Sequence, residues 1–119
     1  MDKDISIPKG RTRVITSYKA VKTTQPLPGV TRRVLAHSPS LMLAEHILEK
    51  GSVMPRHNHP HEQLVYLVSG QLMAEIDSTE YKIAPGDSFV LPPDMHHKVI
   101  ALERSVALDI FTPARTDYL

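Results

Sequence analysis

The sequence has no cysteine and no tryptophan, and only two phenylalanines and four tyrosines among its 119 residues. Without cysteine there are no disulfides, no thiolate metal ligands and no thiol nucleophile. So few aromatics leave nothing for a base-stacking platform. Charge of one sign is also lacking: the formal net charge is +1, and no basic cluster exceeds the pair Arg32-Arg33. Nucleic acid is therefore not an expected partner, and Arg32 and Arg33 are expected on a solvated strand face. No run approaches the roughly 18 apolar residues of a membrane span, and the opening residues lack the apolar core of a secretory signal. A soluble, cytoplasmic protein with no membrane partner is the expectation.

Proline and glycine are present in number, ten and five. They punctuate short runs of alternating or β-branched residues, which is an all-β pattern. Strands are expected over 13–18, 31–37, 41–48, 63–68, 71–76, 81–83, 88–91, 97–102 and 105–111. The run from Leu41 to Lys50 has helix-favouring residues, but it is short and lies between strand-like runs, so it is read as a strand. Gly51, Gly70 and Gly86 are read as turn glycines. The chain divides into an N-terminal strand arm (about 1–30), a barrel core (about 31–112) and a short C-terminal tail, all one domain. Many short strands with frequent turns imply a sandwich or small barrel.

The chemistry concentrates in Gly51-Ser-Val-Met-Pro-Arg-His57-Asn-His59-Pro-His61-Glu-Gln63, answered by His97 after a proline-rich turn. In an extended segment His57 and His59 leave the same face. Gln63 adds an amide oxygen, and His97 comes from a different strand. Three imidazoles and one amide suit one divalent transition ion such as Zn, Ni, Fe or Mn rather than Ca or Mg. All four donors are neutral, so the ion would keep its full charge, attract an anion and act as a strong Lewis acid. His61 is expected on the surface or behind the ligands, and His96 is expected to point away. His37 and His46 are given no role.

These residues resemble the cupin superfamily. Its first motif runs Gly, five residues, His-x-His, three or four residues, Glu, six residues, Gly. Gly51, His57, His59, Gln63 and Gly70 fall at that spacing, with Gln63 in place of Glu. Its second motif is met by Gly86, Pro92 and His97, with Asp94 where a second Gly is usual and Ala101 where an Asn is common. The resemblance implies a double-stranded β-helix, the cupin jelly-roll barrel, with a metal in its mouth. A narrower likeness is to single-domain pectin-degradation cupins of the KdgF type, whose Asp-x-Phe-x-x-x-Arg pattern is matched by Asp109, Phe111 and Arg115. It implies an enzyme that converts 4,5-unsaturated uronates to the linear keto form, and a homodimer built through sheet edges, which the 13–18 strand could extend.

Asp109 and Phe111 share a face of the last strand, and a barrel-facing carboxylate is costly unless paired or used. The functional reading makes Asp109 a general acid/base, Phe111 an apolar wall and Arg115 a two-point grip on a small anionic carbohydrate. The structural reading makes Asp109 the partner of a neighbouring His or Arg, Phe111 core packing and Arg115 a surface charge. Two competing functions stand beside the uronate enzyme: a cyclase or dioxygenase acting on an aromatic or polyketide-like substrate, and a non-catalytic sugar- or metal-binding cupin.

Overall fold

The computed structural model describes residues 13–119. They form ten strands: β1 (Thr24–Leu27), β2 (Val30–His37), β3 (Met42–Leu48), β4 (Val53–His57), β5 (Glu62–Ser69), β6 (Leu72–Ile76), β7 (Thr79–Ile83), β8 (Ser88–Leu91), β9 (His97–Ala101) and β10 (Ser105–Thr112). A six-stranded sheet, β1-β2-β3-β10-β5-β8, faces a four-stranded sheet, β4-β9-β6-β7. Every pairing is antiparallel. The all-β fold that the residues imply is present, in the jelly-roll form that the resemblance implies. The stretch from Leu41 to Lys50 is a strand, as its surroundings required.

Strand alternation builds the interior. β3 buries Met42, Ala44, His46 and Leu48, and β10 buries Ser105, Ala107, Asp109 and Phe111. The two strands pair with Asp109 opposite Ala44 and Ala107 opposite His46, so the inward His46 and Asp109 are diagonal neighbours. One apolar cluster gathers Val30, Leu48, Val65, Leu67, Leu72 and Ala107. A smaller one gathers Met42, Ala44, Phe111 and Ala114. Along β3 and β10 the polar inward pair His46 and Asp109 falls between the two clusters. The fold thus holds a polar belt inside an otherwise apolar filling.

Residues 13–18 are not a strand; a short 3-10 turn occupies Tyr18–Ala20 instead, and among the described residues nothing pairs with this stretch. The rest of the expected arm before residue 13 lies outside the described residues. β1 and β4 were not anticipated, and both contain proline, at Pro26 and Pro55. Each is an edge strand, where a missing N–H costs no ladder bond. Gly70 joins β5 to β6 at φ +90°, and an added Cβ would lie 2.4 Å from the Arg104 carbonyl oxygen, so only glycine fits that turn.

Candidate metal centre and its neighbours

His57 closes β4, His97 opens β9, and the two are register partners across the β4–β9 ladder. A register shift lies between Met54 and His57, so this ladder carries a bulge just before the histidine. Bulges of this kind re-aim the side chain that follows. His59 is not in a strand, contrary to the extended reading of His57-x-His59; it sits in the loop before β5. That loop is tied down by Asp94, whose N–H donates to the His59 carbonyl at 2.7 Å. Asp94 has φ +65°, the left-handed region where the motif usually places glycine and which Asp tolerates.

The side-chain nitrogens of His57, His59 and His97 all lie within 4.8 Å of one another. In each ring Nδ1 faces a backbone carbonyl two residues away: Pro55 at 2.8 Å, His61 at 3.0 Å and Met95 at 2.9 Å. With Nδ1–H donating there, all three Nε2 lone pairs are left for a ligand, which is how metal-binding imidazoles are oriented. His59 adds a sharper sign. Its Nε2 lies 2.9 Å from Gln63 Oε1, so two acceptors face each other. A neutral imidazole has one hydrogen for these two oxygens. A cation beside Nε2 and Oε1 resolves the mismatch, and the donor set fits a divalent ion.

Burial dominates the electrostatics of His97 and His59. It pushes His97 down to about 4, and the neighbouring His57 and His59 add to the effect. Burial also lowers His59. Both rings are therefore neutral near pH 7. The linkage has a definite sign: as pH falls below about 6.5 the unfolded chain takes up protons that the folded chain refuses. Metal-free protein is expected to lose stability from about pH 6.5 down to about 4, His97 alone contributing on the order of 2 kcal/mol after allowance for solvent screening. Thermal melts of chelator-treated protein check this, and an unchanged melting temperature between about pH 7 and about pH 5 would contradict it.

Behind the triad stands a chain of side chains. Asp109 and His46, 5% and 1% exposed, are hydrogen-bonded through Oδ2 and Nδ1. The Arg32 Nε–H donates to His46 Nε2 at 2.9 Å. The Arg32 guanidinium lies 3.5 Å from the centre of the Tyr118 ring. Arg32 is thus not on a solvated face; its register partner across β2–β3 is His46, and it is drawn inward. His46, given no role by its sequence context, is part of the same chain. Arg33 does face outward, bonded to Glu45 at 3.0 Å.

A small cavity of about 30 Å³ touches His57, Gln63 and His97, and also His46, Asp109 and Tyr118. It has room for an ion or a water, not for a sugar ring. Phe111 is 1% exposed and sets its edge against His59 and Tyr118 at 5.9 and 5.5 Å. It is core packing, in the cluster with Met42, Ala44 and Ala114, and does not line the cavity. Arg115 does not enter the cavity lining. It holds Asp117 at two points, Nε to Oδ1 at 3.0 Å and Nη2 to Oδ2 at 2.8 Å, with its guanidinium 4.3 Å from the Tyr118 ring centre. Burial raises the Tyr118 phenol. His61 contributes its carbonyl to His59, while its own Nδ1 is buried without a partner. His96 and His37 are exposed. A wider groove of about 720 Å³ meets the site only at Arg32 and Tyr118 and gathers no comparable cluster.

Among known proteins, the family model for the cupin domain matches residues 44–111. The pectin degradation protein KdgF of Dickeya dadantii is 30% identical over 93 residues, covering 76% of this chain and 84% of that protein. The structure of KdgF from Halomonas sp. superposes with a TM-score of 0.83 at 33% identity, over 88% of this chain and 97% of the other. An RmlC-like cupin from Shewanella frigidimarina gives a TM-score of 0.85 at 26% identity, over 89% and 96%.

Proposed function

The chain belongs to the cupin family, and from that footing we propose that it is a metal-dependent enzyme converting 4,5-unsaturated uronates to the linear keto form. The observation that carries this reading is a neutral His/Gln donor set sharing one cavity with a buried carboxylate, Asp109. The likeness to pectin-degradation proteins supports the substrate class.

His57, His59, Gln63 and His97 would hold one divalent transition ion. Such an ion supplies Lewis acidity toward a substrate oxygen. The reaction is an isomerisation. The bond between C1 and the ring oxygen breaks, the anomeric hydroxyl gives up its proton and becomes the aldehyde, and the freed ring oxygen becomes an enolate at C5. That enolate becomes the ketone as C4 gains the proton. Asp109 accepts the proton of the anomeric hydroxyl and returns one to C4, the role of a positioned general acid/base. Arg115 takes the uronate carboxylate in its planar fork by exchanging it for Asp117.

The test follows the absorbance of the conjugated double bond when metal-loaded protein meets unsaturated galacturonate. Decay no faster than in buffer, with the metal shown to be bound, sinks the reading.

The protein would act as a homodimer. The expected edge strand at 13–18 is absent, and the supporting surface is instead a sheet face. Leu64, Tyr66, Val68, Val90 and Ile110 are each 42–50% exposed, and Leu64 is in register with both Val90 and Ile110. A two-fold pairing of this patch with itself would cover it. Tyr66→Glu is expected to shift the protein from dimer to monomer in sedimentation velocity; wild-type protein sedimenting as a monomer removes the proposal.

A further inference from the structure

His46 is almost fully buried, and both its ring nitrogens are already engaged. The guanidinium of Arg32 is a donor only, so the Nε2 it reaches at 2.9 Å must be an acceptor. The single ring hydrogen is therefore on Nδ1, pointed at Asp109 Oδ2. The contact is a hydrogen bond from a neutral ring to a carboxylate, with the balancing positive charge one residue further back on Arg32. Tyr118 closes the chain from outside, its ring against both the guanidinium and the His46 edge at 6.2 Å. An apolar pair would fill the same volume at lower desolvation cost, yet the chain ends on the carboxylate that shares a cavity with His57, Gln63 and His97.

We infer that Arg32 and His46 are positioning residues for Asp109: Arg32 anchors the His46 ring by Nε2, and the Nδ1–H so aimed commits Asp109 Oδ2, leaving Oδ1 alone to work on substrate. Asp109 and Arg32 both demand the Nδ1–H tautomer. Without Arg32 the ring is held from the carboxylate side alone and can turn, carrying its hydrogen off Oδ2. The kinetic part of this inference rests on the reaction proposed above; the orientation part does not.

The experiment has two arms. Nitrogen-15 and ring-proton spectra of the histidines, with the His46 signals assigned by their loss in His46→Asn, are expected to show a downfield, exchange-protected Nδ1–H in the wild type that moves upfield or is lost in Arg32→Met. In the second arm, Arg32→Met is expected to lose about ten- to a hundredfold in kcat at unchanged KM and metal content, the scale of orienting residues around a site. His46→Asn, whose amide can replace the Nδ1–H donor, is expected to keep at least about tenfold more activity than His46→Leu. A wild-type His46 with its hydrogen on Nε2, or an Arg32→Met protein with the wild-type Nδ1–H signal, overturns the inference even if no substrate is turned over. Wild-type and Arg32→Met signals as expected, with no turnover of any unsaturated uronate, would fell the proposed reaction and leave the anchoring standing.

Discussion

Asp109→Asn protein is expected to keep its fold and its metal while losing about 10²- to 10⁴-fold in kcat, the range associated with a positioned acid/base. The asparagine oxygen can still accept the His46 Nδ1–H, so the buried pair survives and the lost quantity is the proton-carrying carboxylate. Asp109→Ala differs in a measurable way. It leaves His46 Nδ1 buried without an acceptor, a cost of roughly 1–3 kcal/mol in stability on top of the lost turnover. Continuous assay on unsaturated uronate, metal analysis and thermal melts of the two variants together separate the roles. A kcat of Asp109→Asn within a few-fold of wild type would assign the carboxylate to structure alone.

The second large effect concerns the ligands themselves. His97→Ala is expected to weaken divalent-ion binding by on the order of 10³-fold, because one of three convergent nitrogens is gone and the remaining pair cannot enclose an ion. Gln63→Ala should cost less, about 10- to 100-fold, since it leaves the three imidazoles together. Titration against a chromogenic chelator gives both affinities. The same difference should appear as a rise of the wild-type melting temperature on adding zinc that His97→Ala lacks, since only ligand bound to the folded state stabilises it. Equal affinities for wild type and His97→Ala would move the ion elsewhere in the molecule.

The grouping of His57, His59 and His97 was legible because histidine is a rare residue type and these stand at fixed offsets, and the strand that carries Gln63 has clean alternation. The face shared by Asp109 and Phe111 came from the same two-residue period. What the sequence concealed was of two kinds. β4 was hidden by Pro55 and Arg56, which interrupt the pattern where the ladder bulges. The partners of Asp109 were hidden because they depend on register between strands 63 residues apart. A local signal for His46 did exist: it alternates with Met42, Ala44 and Leu48, so it had to be buried and had to be bonded. Arg32 gave no such signal, since its neighbour Arg33 is just as charged and faces the other way. Tyr118 stands in a tail with no periodicity to read.

In the reaction proposed above, Arg115 would let go of Asp117 to take the uronate carboxylate. Asp117 and Tyr118 belong to a single three-residue turn, Thr116–Tyr118, and Tyr118 lies over the cavity that is too small for a sugar. An incoming carboxylate that traded places with Asp117 would remove one fastening of the turn bearing Tyr118, leaving its contacts with Arg32 and Phe111 to hold it. A neutral sugar has nothing to trade. Charge recognition and admission would then be one event: the guanidinium serves as a latch that opens only to a visitor carrying the same negative group that holds it shut.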